Sequence, residues 1–83
     1  MNKKLNERTN YQLRSIASRI AGVGHAMDAV ELAKFLGVSR LTILRRAKRG
    51  TIPCFRVGSL VKFDPANIAR WLVQMGDQRM SGG

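Results

Sequence analysis

A three-residue turn, Gly37-Val38-Ser39, constrains the fold of this chain more than any other segment. Apolar residues at helical spacing precede it from Met27 to Leu36 and follow it from Arg40 to Arg49. Gly37 can take the left-handed conformation that ends a helix, and Ser39 is a good N-cap for the next helix. Because so short a turn makes the two helices cross steeply, the segment predicts a helix-turn-helix unit.

The first helix of this unit is expected to pack through a single face. Val30, Ala33 and Leu36 share that face, and Met27 lies at its start. Val38, the apolar residue of the turn, is placed to fill the angle between the two helices.

A hairpin and a final helix are predicted after the unit. The strands are Ile52 to Val57 and Leu60 to Phe63, joined by a Gly58-Ser59 turn of the kind that tolerates positive φ. Val57, Val61 and Phe63 are expected to supply the apolar packing of this hairpin. Asp64-Pro65 then fits an N-cap followed by the first helical position, and Gly76 is the predicted end of that helix.

Another amphipathic helix is predicted before the unit, over residues 9–21. Thr9 and Gln12 fit a capping box, and glycines follow the helix at residues 22 and 24. The apolar stripe consists of Leu13, Ile16, Ala17 and Ile20. This stripe needs a partner surface, either the core of its own domain or another protein such as a recombinase, an integrase or a second protomer.

These elements predict a mostly α-helical fold with a small β-hairpin: a winged helix-turn-helix with an extra N-terminal helix. We expect a flexible basic start and the amphipathic helix over residues 1–24, the winged domain over 25–76 and a flexible tail over 77–83. The 83 residues suffice for one domain and not for two. Such a small domain needs every ordered element in one shared core.

The charge of the chain indicates an anionic partner. Fifteen Lys and Arg against five Asp and Glu give a net charge of +10, which attracts polyanions at long range. Nucleic acid is the first candidate and an anionic membrane the second. Apolar runs are too short to span a bilayer, and no secretory signal follows the charged N-terminus. We therefore expect a cytoplasmic protein associated with the bacterial nucleoid.

Residue types that carry catalysis or bind metals are sparse. Cys54 is the only cysteine and His25 the only histidine, so no disulfide or zinc site can be built from them. The apolar neighbours of Cys54 indicate a buried thiol. Asp28, Glu31 and Asp64 are explained by their places at helix starts. We expect no catalytic residues, no metal, no cofactor and no small-molecule substrate.

The second helix of the unit is the predicted DNA contact. This helix carries five basic side chains and no acidic one. Their mutual repulsion would destabilise an isolated helix unless phosphates supply the opposing charge. Its Arg side chains can also read guanine in the major groove. A solvated basic face is the alternative, but the position behind a capped turn and before a hairpin favours DNA. The predicted contacts are Ser39, Arg40, Leu41, Thr42, Arg45, Arg46, Lys48 and Arg49.

The hairpin is a second candidate contact. Arg56 and Lys62 flank its tip, which is formed by Gly58 and Ser59. A wing of this kind can lie along the phosphate backbone or enter a minor groove. A hairpin that only closes the core is an equally good interpretation.

Several stretches between Met27 and Leu72 together form a pattern defined by their order and spacing. They are Val30–Ser39, Thr42-Ile43, Arg49–Pro53, Phe55–Gly58, Asp64-Pro65 and Ile68–Leu72. From Met27 to Leu72, a little over half of the chain, the sequence resembles the excisionase-type, MerR-like winged helix-turn-helix family. The family often has an apolar residue at the position of Arg46 and more polar ones at Leu60-Val61.

The resemblance implies that the second helix enters the major groove and the wing reaches nearby backbone or minor groove. By position, the major-groove candidates are Arg40, Leu41, Thr42 and Arg45. Gly58 and Ser59 would form the wing tip, with Lys62 nearby. Family members include excisionases, which bend DNA and steer an integrase toward excision, small transcription regulators, and DNA-binding parts of phage packaging proteins.

Four functions therefore stay open at this point. An excisionase and a small regulator both fit the resemblance. An RNA-binding basic protein would need exposed aromatic residues, and most of the few in this chain have core roles. A protein-interaction module acting through residues 9–21 is compatible with DNA binding.

Overall fold

The computed structural model describes the backbone of residues 2–82 and the side chains of residues 12–76. Its elements are α1 (Asn2–Ala21), α2 (Ala29–Leu36), α3 (Arg40–Arg49), β1 (Phe55–Val57), β2 (Leu60–Lys62) and α4 (Pro65–Gly82). The predicted winged helix-turn-helix with an added N-terminal helix is confirmed. Over the described residues, no helix has both the length and the apolar character needed to cross a membrane.

The turn between α2 and α3 forms as its residues predict. Gly37 has a left-handed backbone, with φ of 69°, and its N–H donates to the carbonyl of Ala33. Ser39 is the N-cap of α3, and its hydroxyl accepts a hydrogen bond from the N–H of Thr42 at 3.1 Å. Val38 is 44% exposed and borders a groove with Leu36 of α2 and Ile43 of α3, so it fills the angle between the helices only in part.

Helix α2 begins at Ala29, two residues later than expected. The carboxylate of Asp28 caps it by accepting a hydrogen bond from the N–H of Glu31 at 2.8 Å. Met27 instead forms an antiparallel bridge with Phe63, in which each N–H donates to the other residue's carbonyl at 2.9 and 2.8 Å. This bridge ties the start of the helix-turn-helix to the end of the hairpin.

The buried face of α2 also differs from the prediction. Ala29, Leu32 and Ala33 are buried, whereas Val30 is 43% exposed. With Asp28 as the N-cap and Met27 held in the bridge, the helix turns Val30 away from the core. The expected packing role of Val30 was therefore wrong.

We call residues Phe55–Lys62 the wing. Its strands are antiparallel and pair Phe55 with Lys62, Arg56 with Val61 and Val57 with Leu60. The turn between them uses a left-handed Gly58, with φ of 63°. The wing is thus a short hairpin with its tip at Gly58-Ser59.

The first strand is shorter than predicted and the cysteine is placed differently. Ile52 is 2% exposed and belongs to the core, so the chain reaches the strand ladder only at Phe55. Pro53, which has no N–H to donate, lies in this connection. Cys54 is exposed, so the prediction of a buried thiol was wrong.

The core draws on every helix and on the second half of the hairpin. Its fully buried large side chains are Phe63, Ile20, Met27, Leu32, Ile43, Ile68 and Leu72. Helix α1 packs mainly against α4, which buries Ala17 and Ile20 and partly covers Leu13 and Ile16. The apolar stripe of the N-terminal helix therefore packs within its own domain.

Both terminal helices are longer than predicted. Helix α1 begins at Asn2, so Thr9 lies inside it and is not its N-cap, and the backbone of residues 2–8 is helical. Lys, Leu and Glu in that segment are good helix formers, which extends the helix beyond the capping pattern. Helix α4 continues through the buried Gly76 to Gly82. The flexibility of residues 1–8 and 77–83 stays a prediction, because the side chains of these residues lie outside the part of the chain that the structure describes.

Candidate nucleic-acid interface

Helix α3 is anchored through one face and presents the opposite one. Ile43 is 1% exposed, and Ala47 packs against the core. At 100° per residue, Leu41, Arg45 and Lys48 point away from that anchor, and all three are exposed. The outward face that the sequence predicts is therefore present, with an arginine at its centre.

The wing lies beside one flank of α3. Arg40 and Leu44, one helical turn apart, line a cleft of about 370 Å³ together with Ser59, Leu60 and Val61. Residues 28–30, the N-cap and first residues of α2, also line this cleft. The cleft brings the wing tip next to the first turns of α3, a relation that the sequence pattern alone does not specify.

The opposite flank of α3 carries Thr42 and Arg46. These residues line a mostly apolar groove of about 290 Å³ with Val38, Trp71 and Met75 among others. Arg46 is exposed although it borders this groove. Its aliphatic stem can therefore cover apolar surface while the guanidinium stays in water.

Ser39 and Thr42 hold each other at the start of α3. Their hydroxyls lie 2.9 Å apart, in addition to the capping hydrogen bond from the Thr42 N–H. Thr42 is also only partly exposed. Its hydroxyl therefore already has a partner, whereas Leu41 and Arg45 are free to meet a ligand.

The surface formed by α3 and the wing is uniformly positive. Its bases are Arg40, Arg45, Arg46, Lys48, Arg49, Arg56 and Lys62, and no acid occurs from Leu32 to Phe63. All are exposed except Lys62, which is partly buried. Among the side chains that the structure describes, none of these seven is in an ion pair. The protein itself does not offset this charge.

The exposed apolar side of the wing is the feature that the sequence analysis missed. Residues directly opposite in an antiparallel pair share a face, so Phe55, Val57, Leu60 and Lys62 lie together. We call this the outer face of the wing. Phe55 is 43%, Val57 56% and Leu60 59% exposed.

A signal for this face was present in the turn length. A two-residue turn at Gly58-Ser59 pairs Val57 with Leu60, which places Val57 and Val61 on opposite sides of the hairpin. The expectation that Val57 packs with Val61 and Phe63 was therefore wrong for Val57. Phe63 is fully buried and Val61 is partly buried, as expected.

The described residues contain no group of three His, Cys, Asp or Glu side chains that could hold a metal ion. The candidate site consists instead of the basic side chains, the exposed apolar side chains and the hydroxyl groups of α3 and the wing.

Comparison with protein families gives one match over this region. Residues 26–75 fit a family model described as a helix-turn-helix domain, a family of excisionase-like DNA-binding domains. The match runs from the start of α2 through the wing into α4, more than half of the chain, and leaves out α1. No curated protein and no solved structure matches the chain. Domains of this family are typically non-enzymatic.

Proposed function

The chain belongs to the helix-turn-helix domain family of excisionase-like DNA-binding domains, and we propose that it is a small excisionase, a DNA-binding protein that directs a recombinase toward excision. DNA binding follows from the family. The observation that supports the proposal best is the concentration of seven basic side chains on α3 and the wing, which carry no acid themselves and lie on either side of one cleft. In this role the protein would act in the cytoplasm, on the bacterial nucleoid.

In this proposal α3 occupies the major groove. The helix has ten residues, about 15 Å at 1.5 Å per residue, and a groove about 12 Å wide admits it. Its outward face then meets the base edges. Arg45 is the principal candidate for a bidentate contact to guanine, and Leu41 is a candidate for apolar contact with a thymine methyl.

The remaining basic side chains surround this face and serve as phosphate contacts. Arg40 lies on the wing side of α3 and Arg46 on the other flank, so they can reach the two strands that border the groove. Lys48 and Arg49 extend the positive surface toward the end of α3. Such contacts set the position and register of the protein on the duplex and carry no sequence information themselves.

The N-terminal helix is not assigned a partner through its apolar stripe. Ala17 and Ile20 are buried against the rest of the domain, so a recombinase or a second protomer has no access to them. A partner that docks on residues 9–21 would have to use the polar faces of that helix or the exposed parts of Leu13 and Ile16.

The test begins with selection of bound duplexes from a random pool by the full chain. We expect one recurring sequence, and the stoichiometry is read on that sequence. Arg45→Ala should weaken binding to it, whereas Arg19→Ala, which removes an exposed charge on α1, should not. Preference for single strands over duplex in a competition assay would favour an RNA-binding protein instead.

A second step separates the excisionase from a regulator. The selected site is placed in a recombination substrate with the integrase of the same genetic element, and excision is measured with and without the protein. We expect excision to rise. Unchanged excision, together with changed transcription from a promoter that overlaps the site, would identify a small MerR-like regulator.

A further inference from the structure

We propose that the wing acts as an apolar wedge: Val57 and Leu60 enter the minor groove next to the groove that α3 occupies and open a base step, which bends the DNA. The inference rests on the proposed DNA binding and adds the residues that deform the duplex. It starts from the outer face of the wing, whose three apolar side chains are 43–59% exposed.

The tip of the wing is about as long as a minor groove is deep, but it is wider than the groove. Val57 and Leu60 face each other directly across the turn, and both are more than half exposed. Two strand steps of about 3.4 Å carry this pair roughly 7 Å beyond Phe55, close to the minor-groove depth of about 7.5 Å. Two strands about 4.8 Å apart with their side chains are wider than a groove of about 6 Å. Entry therefore requires the groove to widen, which is the deformation that apolar wedges produce.

The charge around the outer face favours DNA over a second copy of this chain as its occupant. Lys62 lies on this face, Arg56 is exposed on the other side of the hairpin, and Arg40 is across the cleft. A second copy of this chain, with a net charge of +10, would be repelled. A minor groove offers phosphates along its rims and apolar sugars and base faces inside. The minor groove is therefore complementary to a cluster of apolar side chains that basic side chains surround.

The cleft between α3 and the wing supplies the path of the intervening strand. When α3 lies in the major groove, a phosphate backbone separates it from the adjacent minor groove. The cleft of about 370 Å³ lies between these two elements, with Arg40 on one wall and Ser59 on the other. The carboxylate of Asp28, which also borders the cleft, is held by the N-terminus of α2, where the helix dipole offsets its charge.

The test measures bending and unstacking on the duplex selected for the full chain. The paired change Val57→Thr with Leu60→Thr keeps residues favourable for strands and removes most of the apolar tip. End-to-end energy transfer on a dye-labelled duplex of about 30 base pairs reports the bend, and 2-aminopurine placed at successive steps reports unstacking. Wild type should bend the duplex and brighten one 2-aminopurine step. The paired variant should lose both signals and bind about tenfold more weakly.

Two matched variants keep the outcomes distinct. Val73→Thr, the same type of change at a partly buried valine of α4 outside the proposed interface, should bend and bind like wild type. Lys62→Ala should weaken binding but keep the bend, because it removes a phosphate contact and leaves the wedge. Thermal unfolding of each variant confirms that it is folded.

Three results would overturn the wedge. The first is binding of the selected duplex by wild type without a bend, and the second is a bend with the paired variant equal to that of wild type. A paired variant that changes only the number of chains per duplex, seen by native mass spectrometry, would assign the face to a second copy. Failure of wild type to bind any duplex is a separate result, which refutes the proposed function itself.

Discussion

Arg45 and Lys62 represent two kinds of basic contact on one surface. Arg45 lies at the centre of the outward face of α3 and is exposed. Lys62 is partly buried in the wing, on the same face as Phe55. A planar guanidinium can make two parallel hydrogen bonds to guanine, whereas an ammonium on a flexible stem acts as a point charge toward phosphate. The two residues should therefore contribute differently to specificity and to affinity.

Replacing each residue by alanine separates these contributions. Arg45→Ala should weaken binding to the selected duplex by about 1–3 kcal/mol and relax the choice at one base position. Lys62→Ala should weaken binding to selected and scrambled duplexes alike and make the salt dependence shallower by about one unit of log–log slope. Titrations on both duplexes measure these effects, with circular dichroism to confirm folding and Arg19→Ala as the charge control.

An equal loss on both duplexes would make Arg45 a phosphate contact. The residue that reads bases would then have to be sought at Arg40 or Leu41, because the Thr42 hydroxyl is held by Ser39. A Lys62→Ala variant that loses affinity only for the selected duplex would place Lys62 against a base edge.

At the scale of elements, α1 is an integral part of the domain although the matched family region begins after it. Its packing against α4 buries Ile20 completely. The exposed side of the same helix includes Ser18. The two residues differ in burial on one helix and therefore form a matched pair.

Ile20→Ala should lower the free energy of unfolding by about 2–5 kcal/mol, because it leaves a cavity in the core. That is a large part of the roughly 5–15 kcal/mol that a small domain has. Ser18→Ala should change it little, since no buried contact is lost. Urea unfolding of both variants gives the comparison, and removal of residues 1–22 should lower the melting temperature. Equal stability of the two variants would show that α1 does not pack on the domain in solution.

At the scale of the whole molecule, the basic surface sets the salt dependence of binding. Seven bases on α3 and the wing have no ion-pair partner among the described side chains, and each phosphate they neutralise releases condensed counterions. We expect affinity for the selected duplex to fall with salt with a log–log slope of roughly −4 to −6. Titrations at several salt concentrations measure it, and a slope near zero is incompatible with this mode of binding.

The helix-turn-helix and the outward face of α3 could be predicted because their signals are local. Gly37 and Ser39 act through their own backbone and the next few residues, so the turn forms as the sequence predicts. The face of α3 also follows from helical geometry once Ile43 is taken as its anchor. Element ends were less predictable, since Thr9 and Gly76 carry capping patterns inside longer helices.

The sequence by itself determined the caps at Gly37 and Ser39, the turn, the two helices around it and the concentration of basic residues on α3, because these depend on residues close together in the chain. Only the tertiary structure decided which flank of α3 faces the wing, because the cleft between them is lined by segments that are far apart in the sequence. It also decided the bridge from Met27 to Phe63 and the exposure of Cys54 and Val30. Burial at such positions is settled by competition among distant segments for one small core, and short-range pattern carries no information about that competition.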